Sequence, residues 1–338
     1  MKYLIVSEGK DESSLAYSYK RALDKLDKLV MFFYLSDSVS RNHPVPFLPS
    51  FINNFIFGHF EPKTTIQKVN VELTKYVLIN KIDVIICFTN TLINPSTIVY
   101  LRSLGKRVLL IYPDAIINMQ QRNSSAISCY DDIFSYSQLG VKSFEFLGAQ
   151  NAVWCPLACD DSIHKIEPKS DGQFLYDISF IGNHRPEREE VLHFIINKFP
   201  NLKIKINGSW KKAKSKKLRS IAENRQIYGI DYARFINNSF ISLNIIDHSN
   251  FPAANMRFFE IPISGGFQIS SACPEMENIL IEGKHLLYYN DLEELGEKID
   301  YCFAEKGKVY EMRNACHELV LKEHLYSNRL EMILKMIS

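Results

Sequence analysis

Short apolar runs alternate with amphipathic stretches along most of the chain. An apolar run at residues 3–6 precedes a helical pattern that continues to about Leu29, and a second apolar run follows at 29–35. Strand, helix and strand in this order are typical of an α/β layer. Further runs predict strands at 83–90, 107–112, 130–137 and 152–157. This alternation predicts one doubly wound, Rossmann-like domain over residues 1–161.

Two stretches of this first domain differ from the simple alternation. Residues 36–63 are rich in Pro, Asn and Phe and show no clear period, so we interpret them as an irregular excursion that lines a pocket. A helical pattern at 69–80 leads into the strand at 83–90, and Pro95 is placed to open the next helix at its first turn.

A second α/β series begins after a polar segment. Residues 162–173 carry Pro, Ser and Gly and favour a linker. We predict a second doubly wound domain at 174–316 and an apolar-sided helix at 317–338 that crosses back to the first domain. In two such domains, ligands are expected in a cleft at the carboxyl ends of the strands.

The segment 255–270, N-M-R-F-F-E-I-P-I-S-G-G-F-Q-I-S, predicts a short helix followed by a strand. Gly265 and Gly266 end the helix, because glycine adopts a positive φ at little cost. Pro262 removes one hydrogen bond inside the helix and predicts a kink in its last turn.

The polar residues of this segment predict a nucleoside diphosphate site. A helix that starts just beyond a strand offers free N–H groups to phosphate, and Arg257 would add a bidentate clamp. Glu260 does not suit phosphate, but a carboxylate suits the vicinal hydroxyls of a ribose. The alternative is that Arg257 and Glu260 form an exposed salt bridge on a helix that packs on the core.

Composition and charge narrow the class of protein. The net charge of +2 gives no support for general nucleic-acid binding. Seven scattered cysteines favour reduced thiols over a disulfide framework, and no run approaches the length of a membrane span. With no signal-peptide pattern at the start, we expect a cytoplasmic protein. The basic run at 211–219 is interpreted as a solvated helix face, with contact to an anionic membrane surface or acceptor as the alternative.

Several motifs of nucleotide-binding proteins do not occur. The sequence contains neither G-x-G-x-x-G nor G-x-x-x-x-G-K-[ST], which are the usual signals of dinucleotide and P-loop sites. It also lacks D-x-D, so a metal-bridged sugar-nucleotide site is not expected and we predict no metal and no cofactor other than the donor substrate.

A set of short motifs resembles one known family. The motifs are Y-P-D at 112–114, Y-D-D at 130–132, Y-D-I-S-F-I-G-N at 176–183, N-G-S-W at 207–210, Y-G-I-D-Y at 228–232, S-L-N at 242–244, N-M-R-F-F-E-I-P-I-S-G-G-F at 255–267, E-G-K-H at 282–285 and H-L-Y-S-N-R at 324–329. In order and spacing they resemble the CgeB-like (spore maturation protein type) GT-B glycosyltransferases, relatives of the group 1 glycosyltransferases. The resemblance runs from about Asp83 onward.

The resemblance implies a GT-B fold with the donor site in the second domain and the acceptor site in the first, and a role in cell-surface polysaccharide biosynthesis. By this analogy Glu260 holds the ribose and the turn at Gly182 and Asn183 approaches the diphosphate. The residues expected to bind the donor are Gly182, Asn183, Arg185, Arg188, Tyr228, Asn244, Asn255, Arg257, Glu260, Gly265 and Gly266.

The resulting hypothesis is sugar transfer from a nucleotide diphosphate sugar to a hydroxyl of a glycan or a lipid-linked acceptor. Charge on the leaving group would be stabilised by Arg257, by Arg185 or Arg188, and by backbone N–H groups. Arg257 is therefore a catalytic candidate as well as a binding one.

The stereochemical course stays open at this stage. Retaining relatives often carry a glutamate eight positions before the ribose-binding one, and here that position is Pro252. If the reaction inverts, Asp114 is the candidate base for the acceptor hydroxyl; its alternative role is to form the turn after Pro113. His184 and His248 are near the expected site and are interpreted as surface histidines.

Two other functions compete with this hypothesis. A sugar-nucleotide epimerase on the same fold would consume no acceptor, and a non-catalytic protein could bind a nucleotide sugar without turnover. Release of nucleotide measured with and without an acceptor separates the three.

EDTA is expected to leave sugar transfer largely intact, because charge stabilisation by arginines and amides needs no bridging ion. The measurement is the initial rate of nucleotide release before and after dialysis against the chelator. Complete loss of turnover that manganese restores would contradict this expectation.

Overall fold

The computed structural model describes residues 1–38, 63–89, 92–170 and 172–337. The chain divides into two compact units, Met1–Cys155 and Pro156–Ser338, and each unit contains a six-stranded parallel sheet. Most of the predicted irregular excursion at 36–63 lies outside the described residues.

The first unit orders its strands β2-β1-β3-β4-β5-β6. The chain moves outward from β1 to β2 and then returns to the other side of β1, so the strand order reverses between β1 and β3. These strands are β1 (Lys2–Ser7), β2 (Leu29–Tyr34), β3 (Val84–Phe88), β4 (Arg107–Tyr112), β5 (Asp132–Ser135) and β6 (Ala152–Trp154).

Helices connect the strands of the first unit, as parallel pairing requires. They are α1 (Leu15–Lys25), α2 (Leu35–Ser38), α3 (Lys63–Ile79), α4 (Pro95–Ser103), α5 (Gln121–Ser124) and α6 (Gln138–Phe146), with 3₁₀ turns at Ile116–Asn118 and Ile127–Cys129. Pro95 occupies the first turn of α4, as predicted.

The second unit orders its strands β12-β11-β10-β7-β8-β9. Here the order reverses between β7 and β10, which pair directly. The strands are β7 (Tyr176–Ile181), β8 (Ile204–Asn207), β9 (Ala222–Glu223), β10 (Ser239–Asn244), β11 (Gln268–Ser271) and β12 (Leu287–Tyr289).

The helices of the second unit cover this sheet, and none of the helices in the described parts of the chain is long and apolar enough to cross a bilayer. They are α7 (Asp161–His164), α8 (Pro186–Lys198), α9 (Lys216–Ile221), α10 (Gly229–Asn237), α11 (Arg257–Ile263), α12 (Leu292–Ala304), α13 (Lys306–Glu323) and α14 (Tyr326–Ile337).

Central strands are buried on both faces, which explains why they appear in the sequence as continuous apolar runs. Every residue of β10 is buried. Trp210 is wholly buried in the core of the second unit beside Phe180, with ring centroids 6.0 Å apart. A large aromatic side chain from the loop after β8 therefore fixes that loop against the sheet.

The α/β alternation predicted from the sequence is confirmed in both units. One prediction is wrong in detail: the apolar stretch at the C-terminus forms two helices, because α13 ends at Glu323 and α14 starts at Tyr326. Between them His324 leaves helical geometry, and its ring stacks on Phe259 with centroids 4.7 Å apart. The helix α10 was not predicted; its segment begins at a glycine, which is an unfavourable residue inside a helix.

Gly208 permits two backbone segments to meet at the edge of the second sheet. Its φ is +127°, and a Cβ at this position would lie 2.2 Å from the carbonyl oxygen of Gly182. No side chain fits there, because the obstacle is backbone. The loop after β8 can therefore approach the loop after β7 only with glycine at this position.

Gly208→Ala is expected to lower the free energy of unfolding by at least about 2 kcal/mol, since it adds a backbone clash to a disfavoured φ. The control is Gly307→Ala in α13, where a Cβ meets nothing within 4 Å and φ is ordinary. That change should raise stability by up to about 1 kcal/mol. Urea denaturation of both variants measures the difference, and equal stabilities would contradict the steric argument.

Candidate functional site

A cavity opens in the second unit where the order of its strands reverses. It lies at the carboxyl ends of the neighbouring strands β7 and β10, which is where open α/β sheets bind ligands. The cavity has a volume of about 290 Å³. It is lined by residues 179–183, Arg185, Arg188, Gly208, 226–228, Tyr232, Ile236, 243–245, 255–257 and Ile261.

Most of the predicted donor-binding residues come together in this cavity. They come from three different connections, since the loops after β7 and β10 and the segment between β9 and α10 each contribute. The predicted residues that line it are Gly182, Asn183, Arg185, Arg188, Tyr228, Asn244, Asn255 and Arg257; Glu260, Gly265 and Gly266 do not.

Hydrogen bonds between two loops hold one wall of the cavity. The indole N–H of Trp210 donates to the carbonyl of Gly182 at 2.9 Å, and the amide of Ser209 donates to Oδ1 of Asn183 at 3.0 Å. The amide of Gly182 donates in turn to the carbonyl of Asn207. This wall is therefore preorganised, with a backbone turn facing the cavity.

Arg188 brings a partly neutralised guanidinium to the same wall. Its Nη2 donates to Oδ2 of Asp247 at 3.2 Å and its Nη1 donates to the carbonyl of Asn183 at 3.1 Å. Its buried Nε has no hydrogen-bond partner in the described parts of the chain. Burial lowers the pKa of Arg188 from its usual value and the nearby Asp247 opposes the effect. The side chain still carries charge at neutral pH.

Arg185 adds a second cation beside the amino end of α8. It is exposed, directly precedes Pro186 and forms no ion pair with a described residue. The first turn of α8 leaves backbone N–H groups unpaired and carries a partial positive charge. Two guanidinium groups and a helix amino end thus face one cavity, which is an arrangement suited to a polyanion.

Arg257 and Glu260 form an ion pair with a buried carboxylate and a half-buried guanidinium, so the alternative of an exposed salt bridge is wrong. Nη1 of Arg257 donates to Oε2 of Glu260, and only 6% of Glu260 is exposed. The guanidinium carbon also lies 4.6 Å from the ring centroid of Tyr232. Although burial acts against its charge, Glu260 and Tyr232 raise the pKa of Arg257 above its usual value. The carboxylate is thus committed to Arg257, and its role on a ribose stays a prediction.

Gly265 and Gly266 have a structural task at the end of α11. Gly265 has a φ of +69°, and its amide donates to the carbonyl of Pro262. A Cβ on Gly266 would lie 2.3 Å from Cγ2 of Ile236. The helix ends where predicted, and the two glycines permit close packing below the cavity instead of lining it.

A chain of side-chain amides lies under the cavity floor. Nδ2 of Asn255 donates to Oδ1 of Asn244 at 3.0 Å, and Nδ2 of Asn244 donates to Oε1 of Gln268 at 3.4 Å. Nε2 of Gln268 donates to the carbonyl of Phe258 at 2.8 Å. Oδ1 of Asn255 has no partner among the described residues. The chain fixes both asparagines while leaving one acceptor at the cavity.

Several cavity residues were not predicted from the sequence. Gln226 and Ile227 lie in an irregular segment, and Met256 and Tyr232 belong to motifs whose apolar members were assigned to packing. Tyr228 was predicted, and its hydroxyl donates to Oε1 of Gln226. The Y-G-I-D-Y motif marked this region, but only the fold shows that its last tyrosine reaches the cavity.

The remaining candidates lie outside this cavity. Asp114 follows β4 in the first unit, and its Oδ1 accepts from the amide of Ala115 at 2.7 Å and from Nδ2 of Asn118 at 2.8 Å. It forms the turn that was its alternative role, and its use as a base stays a prediction. Nε2 of His184 lies 2.6 Å from Oε2 of Glu189, and His248 lines a different cavity.

No group of three His, Cys, Asp or Glu side chains in the described parts of the chain is arranged to hold a metal ion. No disulfide bond joins any of the seven cysteines, all of which lie in the described parts of the chain, and six of them are buried. The predicted independence from metal remains to be measured.

Residues 185–335 match a family described as "Glycosyl transferase-like". No curated protein matches the sequence. The matched segment contains Arg185, Arg188, Arg257 and Glu260.

Solved structures of three proteins resemble the whole chain. Sucrose-phosphate synthase from Thermosynechococcus elongatus has a TM-score of 0.70 at 11% identity, covering 100% of this chain and 99% of that chain. HepE from Anabaena in complex with UDP-glucose has a TM-score of 0.65 at 12% identity, covering 100% and 99%. An Escherichia coli trehalose-6-phosphate protein bound with UDP-2-fluoro glucose has a TM-score of 0.63 at 12% identity, covering 99% and 98%. The chain has the GT-B fold, and the family match confirms the prediction of a glycosyltransferase.

Glu260→Gln is expected to lower the free energy of unfolding by about 1 to 3 kcal/mol, because it removes the charge that compensates a half-buried guanidinium. The control is Asp231→Asn, which breaks the exposed pair of the same spacing with Arg234 (3.7 Å) and should cost no more than about 1 kcal/mol.

The same two variants test the predicted role of Glu260 on the ribose. If Glu260 binds the donor, calorimetric titration with UDP should show affinity falling by about one to two orders of magnitude in Glu260→Gln and unchanged in the control. Equal affinities in wild type and Glu260→Gln would remove Glu260 from the site.

Proposed function

We propose that the cavity at the strand reversal of the second unit binds the nucleoside diphosphate part of a sugar nucleotide. The observation that carries the proposal is the convergence of Arg185, Arg188 and the amino end of α8 on one wall. A diphosphate presents the charge and the acceptor oxygens that these groups can satisfy. The cavity volume of about 290 Å³ is close to the lower limit for ligand pockets. A cavity of this size suits the nucleotide, and the sugar would lie nearer the cavity opening.

Arg188 would stabilise the charge that develops during transfer. When the bond between the anomeric carbon and the β-phosphate oxygen breaks, negative charge grows on the departing diphosphate. Nε of Arg188 is buried and unpaired among the described residues, while Asp247 holds the rest of the guanidinium in place. Because the donor group is already positioned, little reorganisation is needed as the charge appears.

Arg257 would act more indirectly than the sequence suggested. Its guanidinium lines the cavity, but the contacts with Glu260 and with the ring of Tyr232 restrict its reorientation toward a ligand. It supplies a fixed positive field at the amino end of α11. Asp114 remains the candidate base if the reaction inverts, and the stereochemical course stays open.

The finer parts of the hypothesis belong to the same proposal. We infer a CgeB-like enzyme from the motifs, an acceptor hydroxyl on a glycan or a lipid-linked molecule, and a cytoplasmic location with peripheral membrane contact. The absence of disulfide bonds among the described cysteines supports a reducing compartment. UDP is the first nucleotide to test, because HepE was solved with UDP-glucose.

UDP at one hundred times its dissociation constant is expected to stabilise the protein by about 2.7 kcal/mol, which thermal denaturation detects as a raised Tm. Arg185→Gln should reduce this affinity by about one order of magnitude with little effect on folding, since the side chain is exposed. The control is Arg234→Gln, an exposed arginine away from the cavity. If neither UDP, GDP nor a deoxythymidine diphosphate shifts the Tm, the donor site is not here.

A further inference from the structure

The loop that follows β8 carries the densest cluster of positive charge in the described parts of the chain. We call residues 211–219 the basic loop, which comprises the end of the loop after β8 and the first turn of α9. Its cationic residues are all exposed, and they are Lys211, Lys212, Lys214, Lys216, Lys217 and Arg219.

Buried neighbours hold the basic loop in one conformation. Ala213 and Leu218 are buried in the core of the second unit, and Ser215 caps α9 by accepting from the amide of Leu218. The amide of Ser215 donates to Oε1 of Glu189 at 2.7 Å. The backbone that carries the cations is therefore anchored to the core of the second unit.

No carboxylate of a described residue pairs with these cations. Lys217 donates to the carbonyl of Ile196 at 3.1 Å, and Arg219 donates to the carbonyl of Lys214 at 3.1 Å. Glu189, a half-buried acid of the groove, already accepts from the amide of Ser215 and contacts His184. Exposed like charges at this density repel one another, so their positive field is available to an outside anion.

An open groove of about 950 Å³ adjoins the basic loop. Lys212, Lys214 and Lys198 line it, and Nζ of Lys198 lies 5.4 Å from the ring centroid of Phe194. Apolar side chains in the groove include Phe194 and Leu292, while Glu190 is the acidic residue besides Glu189. Cations beside apolar surface match a phospholipid, whose phosphate lies next to its glycerol and first methylenes.

The position of the loop relates this surface to the donor cavity. The loop begins at Gly208, which lines the cavity, and Trp210 anchors it to Gly182. Lys211 and Lys212 directly follow Trp210, and the groove is lined by His184 and Pro186, the two neighbours of the cavity residue Arg185. A planar anionic surface against the basic loop would therefore lie beside the donor site.

We propose that the basic loop and its groove dock the protein on an anionic phospholipid bilayer. The inference deepens the proposed function, on which it rests for the meaning of the location: docking here would bring the donor to a membrane that carries the acceptor. The docking itself needs no nucleotide, so it can be measured alone.

The experiment is co-sedimentation of the full chain with two kinds of vesicle, phosphatidylcholine alone and phosphatidylcholine mixed with phosphatidylglycerol in equal parts. Wild type should bind the anionic vesicles only, and binding should weaken as salt is added. Each basic residue near such a surface adds about fivefold to partition, so the triple variant Lys211→Gln, Lys212→Gln, Lys214→Gln should lose about a hundredfold.

The matched control removes the same charge from exposed lysines elsewhere in the second unit, as Lys284→Gln, Lys306→Gln, Lys335→Gln. It should keep binding within about threefold of wild type, since charges beyond the Debye length contribute little. Equal losses in the two triple variants, or no preference of wild type for anionic vesicles, would overturn the proposal. Saturable binding of soluble glycerol phosphate without vesicles would overturn it as well, by assigning the loop to a free anion.

A UDP thermal shift on the same variants separates this inference from the proposed function. The loop triple variant should keep the full shift, because its lysines do not line the donor cavity. Vesicle binding without any nucleotide shift in wild type would leave the docking surface standing and remove the donor site; a nucleotide shift without vesicle binding would do the reverse.

Discussion

The reversal of strand order between β7 and β10 is the constraint on which the candidate site depends. The connections that follow these two neighbouring parallel strands leave on opposite sides of the sheet. A space therefore remains between the two connections at the carboxyl ends of the strands. Everything that lines the cavity arrives there because of that topology. Residues as distant in sequence as Gly182 and Arg257 become neighbours without any need for sequence proximity.

The three arginines of the site differ in whether an acidic side chain pairs with them. Arg188 is tied to Asp247 and Arg257 to Glu260, whereas Arg185 has no acid partner among the described residues. Each acid holds its arginine in place and offsets part of the positive field of that arginine, whereas no described acid offsets the field of the exposed Arg185. A polyanion entering the cavity would meet both kinds, so orientation and attraction come from different residues.

Much of the fold could be predicted from the sequence because buried parallel strands are continuous apolar runs and their helices are amphipathic. The site could be predicted in part, since polar residues directly after a strand, such as Asn183 and Asn244, lie at the carboxyl edge whatever the details. Burial could not be predicted: the spacing of Arg257 and Glu260 is the same for an exposed pair and a buried one. Gly265 and Gly266 show the same limit, because the sequence does not distinguish a glycine that ends a helix from a glycine that contacts phosphate.

Pro262 shows how a local defect becomes a tertiary connection. Lacking an N–H, it cannot bond the carbonyl of Phe258 four residues earlier, and Gln268 from β11 donates to that carbonyl instead. The carbonyl of Pro262 is itself within 2.9 Å of Nδ1 of His317 on α13. A hydrogen bond that an ordinary helix would keep internal is thereby shared with the sheet, so α11 cannot slide along its axis without breaking contacts on two sides. These two contacts therefore fix the position of α11, and with it Arg257 at its amino end, relative to the carboxyl edge of the sheet.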